Sequence, residues 1–159
     1  MKLQKHSTNL GVSMFEMIVA VFIVAIILTA IASLSTTSIR NNTFSVNKNR
    51  ASSYAQEGVE WLRGLRDQSF ANLSSKSGIF PDGQTWCINS LGTSLDDQGT
   101  CNSGEYITGT NFVREVRIIQ DEDGDSNSLD TNVTVRWIDG QGEHTVNVYT
   151  TFTNWAFLQ

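Results

Sequence analysis

One carboxylate, Glu16, stands near the start of a long run that is otherwise apolar, and it constrains the chain more than any other residue. From Met17 to Leu34 there is no charge. At about 1.5 Å of rise per helical residue, such a run is long enough to cross the hydrocarbon core of a bilayer. A carboxylate at the edge of that core costs roughly 2–3 kcal/mol, so its presence asks for a partner and a purpose. The segment before it is short, polar and basic, with Lys2 and Lys5, and ends in Gly11-Val12-Ser13-Met14-Phe15-Glu16.

Gly11, then four residues, then Glu16 and an unbroken apolar helix resembles the class III signal of type IV prepilins and pseudopilins. The resemblance implies a leader at 1–11 that a membrane prepilin peptidase removes after Gly11. It also implies N-methylation of the new first residue, Val12, at a position where the family commonly has Phe. The amine of Val12 on one subunit would then neutralise Glu16 on its neighbour, so that Glu16 serves subunit assembly. Two other readings of the same segment are open. One is a secretory signal peptide cut after Ala30-Ile31-Ala32, and the other is a plain single-span anchor. Glu16 and the length of the run weigh against the signal peptide, whose apolar region is only about 7–15 residues long.

Between Val12 and Glu57 there is neither Gly nor Pro, so nothing breaks a helix that continues past the apolar run. Residues 12–34 read as transmembrane and filament-core helix, and 35–73 as its amphipathic continuation. In the latter, Tyr54, Ala55, Val59, Leu62 and Leu65 or Arg66 form one stripe facing a sheet. Lys48, Arg50, Glu57, Glu60 and Arg63 decorate the other faces. Major pilins often carry a kinking proline where this chain has Ser33, which turns the resemblance toward a minor pilin or pseudopilin. The stretch Ala55 to Asp67 is similar to the helix of PilV-like minor pilins. The resemblance is closest over residues 8–40, extends to Asp67, and is one of architecture beyond.

The remaining residues, 74–159, suffice for one small β-rich head. Turn residues fill an irregular connection at 74–111, with room for one or two short strands and with Trp86 and Tyr106 as expected packing anchors. Three strands are expected at 112–120, 132–138 and 144–155, the last two joined by a hairpin at Asp139-Gly140-Gln141-Gly142. Phe112, Arg114, Val116 and Ile118 alternate against Val113, Glu115 and Arg117, and Val133, Val135 and Trp137 share one side. The expected fold class is α+β: a type IV pilin-like long N-terminal helix packed on a small antiparallel sheet.

Charge and chemistry narrow the function. The formal charge of −5 becomes −7 once residues 1–11 are removed. From Asp82 onward twelve acids face only Arg114, Arg117 and Arg136, so no direct nucleic-acid contact is expected. The only histidines are His6 and His144, and no catalytic constellation or phosphate loop is legible, so no enzyme activity is expected. Cys87 and Cys101 lie in a loop expected outside the cytoplasm, where a disulfide between them is expected and a pair of free thiols is the alternative. The acidic turn offers Asp121, Asp123, Asp125, Asn127 and Asp130 as oxygen ligands for calcium. Its glycine falls at the fourth position, not the sixth, and Asn132 stands where an EF-hand has glutamate. Related pseudopilins order a head loop with calcium; the alternative is a solvated hairpin whose charges deter aggregation.

The resemblance thus implies a structural subunit of a type IV pilus or type II secretion-type filament. Its partners would be prepilin peptidase, other pilin or pseudopilin subunits, an inner-membrane assembly platform and, before assembly, membrane lipid. The precursor would cross the inner membrane once with its head outside the cytoplasm, and then enter a surface pilus or periplasmic pseudopilus. Adhesion, motility, DNA uptake and secretion share this design. The competing class is a secreted or anchored, calcium-dependent adhesive module that does not polymerise.

Overall fold

The computed structural model describes residues 13–120 and 127–155. Its backbone contacts divide the chain into two units, 1–45 and 46–159. A single helix, α1 (Met14–Gln68), begins in the first and ends in the second, as expected from the absence of Gly and Pro between Val12 and Glu57. It stops short of the expected end at residue 73. Ser69 takes an extended backbone, with φ −164° and ψ 104°, and its hydroxyl accepts the Asn72 amide at 3.2 Å. That cap closes off α1 and starts a separate short helix, α2 (Phe70–Ser74).

In the second unit the small residues of α1 face inward. Ala51, Ala55, Gly58, Val59 and Leu62 are buried, at the three- and four-residue steps of one helical face. Tyr54, Leu65 and Arg66 are half-buried at the margins of the stripe. Arg66 lies over the Phe152 ring at 5.5 Å. The partner surface is a five-stranded sheet of β1 (Gly78–Ile79), β2 (Gln84–Cys87), β3 (Val113–Gln120), β4 (Ser128–Asp139) and β5 (Gly142–Thr153). Strands β3, β4 and β5 form an antiparallel meander, with Val116 opposite Val133 and Val133 opposite Val148. Both short strands pair with the free edge of β3, β2 antiparallel and β1 parallel. The sheet is therefore mixed, where the sequence led us to expect a purely antiparallel one. The chain reaches β3 twice, turning tightly between passes, so that Gly78 ↔ Ile119 and Gln84 ↔ Ile118 are neighbouring pairs. A Cβ on Gly78 would stand 2.3 Å from the Gly83 carbonyl carbon, so only glycine allows this doubling back.

Alternation fixes which side of the sheet meets the helix. Phe112, Arg114, Val116 and Ile118 on and just before β3, with Leu129, Thr131, Val133, Val135 and Trp137 on β4, are buried. The β4 strand starts at Ser128, four residues earlier than its sequence pattern indicates, and β5 runs from Gly142 to Thr153. The hairpin between them is a two-residue loop, Gly140-Gln141, closed by the pair Asp139 ↔ Gly142. In the long connection Trp86, Ile88, Leu95 and Ile107 are buried anchors. Trp86 donates to the Lys76 carbonyl at 2.9 Å, and Trp61 of α1 donates to the Gly92 carbonyl at 2.8 Å. Tyr106 is no anchor, being 50% exposed.

Gly58 sets how near α1 comes to the sheet. A Cβ there would meet Arg114 Cδ and Val133 Cγ1 at 3.2 Å and Ile88 Cδ1 at 3.4 Å. We expect Gly58→Leu to destabilise the head by about 2–3 kcal/mol through overpacking. Thermal unfolding of the purified variant beside the wild type measures this, and an unchanged midpoint would contradict the packing described.

Candidate functional site

The first unit presents an unusual surface. Within α1, the apolar side chains from Met14 to Leu34 are exposed on every face, with no polar stripe opposing them. This is the one helix among the described residues long and apolar enough to cross a membrane, with a mean hydropathy of 3.0 over its best window. Burying its dozen or so large apolar side chains in lipid or protein contributes on the order of 20 kcal/mol. Three threonine hydroxyls along and just after the run turn back on the helix. Thr29 donates to the Ile26 carbonyl at 2.8 Å, and Thr36 and Thr37 donate to the Ala32 and Ser33 carbonyls at 3.1 Å. Internal bonds of this kind suit an environment without water.

Glu16 lies in the first turn of α1 and is exposed, placed where the helix N-terminus favours a negative charge. Gly11 and Val12, the expected cleavage and methylation positions, lie outside the described residues.

The head contains a second arrangement that sequence reasoning left incomplete. Arg114 is 2% exposed, on the helix-facing side of β3. Its Nε donates to the Ile88 carbonyl at 3.0 Å, and its Nη1 donates to the Tyr54 carbonyl at 2.9 Å and to Glu57 Oε2 at 2.8 Å. Glu57, read from sequence as surface decoration, is therefore the counter-charge of a buried arginine. The adjacent Glu115 points to the other face. It accepts from Arg136 at 2.7 Å and from the Cys101 amide at 2.9 Å, tying the long connection to the sheet.

Cys87 and Cys101 form a disulfide with a Cα–Cα distance of 4.8 Å. Asn89 braces the loop from inside: its Oδ1 accepts the Arg114 amide at 2.7 Å and its Nδ2 donates to the Glu105 carbonyl at 2.9 Å. The Glu105 carboxylate accepts from the Asn102 side chain and backbone, and these two bonds hold it below the usual carboxylate range. Glu105 lies close to both sulfurs, but sulfurs joined to one another are not the thiolate ligands that a zinc site requires.

Of the five expected calcium ligands, Asn127 and Asp130 lie among the described residues. Asp121, Asp123 and Asp125 lie outside them. Asp130 stands within β4 rather than in a turn, and its Oδ1 accepts the Thr151 hydroxyl across the strand pair at 2.6 Å. The Asn127 carbonyl accepts the Asn154 amide at 2.8 Å, extending the pairing of β4 with β5.

His144 is more than an ordinary strand residue. Its ring stacks on Trp137 at 5.1 Å, and its Nε2 lies 2.9 Å from Asp139 Oδ1. The same oxygen accepts the Gln141 amide at 2.8 Å, so Asp139 clamps the hairpin loop. The Gln141 bond is the main cause that holds Asp139 below the usual carboxylate range, opposed by desolvation and reinforced by His144.

Replacing Cys87 and Cys101 together by Ser should lower head stability by about 3 kcal/mol, the effect of releasing a loop of this length from the unfolded chain's constraint. Chemical denaturation of the oxidised wild type and the double variant checks it. For Asp139 the sign follows from its depressed folded-state pKa. The stabilisation is complete above the unfolded-state value and disappears as pH falls through the folded-state value. Asp139→Asn keeps an acceptor but not the charge. Its melting temperature should lie below wild type at neutral pH, with the gap closing as pH falls below the ordinary aspartate range. A gap independent of pH would show that the charge is irrelevant.

Compared with protein-family models, curated proteins and solved structures, the chain gives no match.

Proposed function

We propose that this chain is a structural subunit, a minor pilin or pseudopilin, of a type IV pilus or type II secretion-type filament. The observation that carries the reading is Glu16: one carboxylate in the first turn of a helix that has no other charge before Arg40 and is apolar on all sides to Leu34. In a plain anchor that carboxylate is a cost of roughly 2–3 kcal/mol with no return. In a filament it finds the amine of a neighbour's Val12, freed by cleavage after Gly11, and the pair fixes the stagger between subunits. The apolar surface serves both before and after assembly. Lipid and a bundle of like helices are both dry, so transfer between them changes little hydrophobic burial.

The disulfide between Cys87 and Cys101 supports a head outside the cytoplasm, since such bonds persist in oxidising compartments. With the head outside, the basic leader carrying Lys2 and Lys5 is cytoplasmic, in keeping with the positive-inside rule. The precursor is then a single-pass protein of the inner membrane that meets prepilin peptidase and an assembly platform there. Its role is mechanical and recognitive, not catalytic.

Intact mass and N-terminal sequencing of the protein from membranes of cells with prepilin peptidase test the processing. The expected product starts at Val12 with one added methyl group, whereas a start at Ser33 would mean a secreted domain stripped of the apolar part of α1. Glu16→Ala should leave membrane insertion intact and reduce incorporation into sheared filaments at least about tenfold, as loss of a buried ion pair implies. Wild-type incorporation of the variant would sink the proposal and favour the non-polymerising adhesive module.

A further inference from the structure

The face of the sheet turned away from α1 holds a groove of about 490 Å3 whose lining includes Arg117, Asn132 and Tyr149, side chains that no role above absorbs. Its centre is a cross-strand row, Arg117 of β3, Asn132 of β4 and Tyr149 of β5, paired directly in register. Beside it runs the row Ile119, Asp130 and Thr151. Three observations make this more than a solvated sheet surface. Tyr149 is 74% exposed, an aromatic ring held outward on a rigid strand amid polar neighbours. Asn132 Oδ1 is sealed from solvent and has no hydrogen-bond donor among the described residues, although buried acceptors are ordinarily satisfied. Arg117 enters no salt bridge among the described residues, so its donors are at hand.

We propose that this groove binds a pyranose sugar, with the ring stacked on Tyr149 and its hydroxyls held by Asn132, Asp130 and Arg117. The chemistry matches in each part. A pyranose has an apolar C–H face that packs on an aromatic ring and an equatorial rim of hydroxyls that both donate and accept. Asp130 accepts only and Arg117 donates only, so together they orient a pair of neighbouring hydroxyls. Asp130 already holds the Thr151 hydroxyl at 2.6 Å, which fixes the carboxylate in place before any ligand arrives. In the proposed complex a change of the Tyr149 rotamer, open to an exposed side chain within picoseconds to nanoseconds, brings a sugar hydroxyl to Asn132 Oδ1. An apolar ligand is excluded by the carboxylate and guanidinium, and a polyanion by the single positive charge in the groove. The site does not depend on the filament reading, because it is complete within the head of one chain.

The test uses the full chain in a detergent without sugar head groups and saturation-transfer NMR with three probes: methyl α-D-mannopyranoside, methyl β-D-galactopyranoside and methyl β-D-glucuronide. At least one should receive saturation on its ring C–H protons. Tyr149→Ala should weaken that probe about tenfold, whereas Tyr149→Phe, which keeps the stacking face, should bind within about threefold of wild type. If the glucuronide alone responds, Arg117→Gln should abolish the signal, marking the site as one for acidic sugars. Absence of transfer to all three probes in the wild type would overturn the proposal. So would transfer that survives Tyr149→Ala, or an equal loss in Tyr149→Phe with an unchanged melting temperature.

Discussion

Arg114 brings a full positive charge into the contact between α1 and the sheet, and its neighbours are arranged so that the charge is tolerated there. Taking a guanidinium out of water costs several kcal/mol unless its donors are met. Here they reach Ile88 on the long connection and Tyr54 and Glu57 on the helix, which binds three separate parts of the head to one side chain. Gly58 leaves room for the aliphatic stem, and Val133 of the neighbouring strand closes the other side. An apolar residue in this place would fill the volume but would fix neither the rotation of the helix nor the position of the connection. Ring contacts from Tyr54 through Phe112 to Trp137 join the same helix to the sheet beside it.

The outer face of the sheet solves a different problem, that of holding a poorly regular connection still. Glu115, one residue from Arg114 and on the opposite face, grips the Cys101 amide while paired to Arg136. Asn89 reaches the β3 backbone from the same connection. The disulfide therefore closes a loop that is independently anchored at both ends, and neighbouring residues of one strand organise the two sides of the molecule's head.

Much of this was legible in the sequence because it is local. The inward alternation of Phe112, Arg114, Val116 and Ile118, the hairpin at Asp139 to Gly142 and the stripe at Ala55, Val59 and Leu62 are patterns read within a dozen residues. Long-range contacts and the positions of the very short strands were not legible. The partner of Arg114 lies 57 residues away, and no periodicity announces it. The strands β1 and β2 have two and four residues, too few for a pattern, and only the return of the chain to β3 makes them strands. The end of α1 at Ser69 rests on one hydroxyl-to-amide bond, and the expected continuation to residue 73 passed over it. For the proposed assembly site the position is reversed. Glu16 and its surroundings are a purely local signal, while Gly11, Val12 and three of the acidic-turn carboxylates lie beyond the described residues.

The bond from Arg114 to the Tyr54 carbonyl spans 60 positions of the chain. At synthesis rates of about 5–20 residues per second, the helical segment is made several seconds before the residue that locks it. During that interval the inward face of α1 at Ala51, Ala55 and Val59 has no sheet to meet. The small size of these side chains then has a second value. With Ala51, Ala55 and Gly58 in it, the stripe's larger apolar groups are limited to Val59 and Leu62 until β3 arrives.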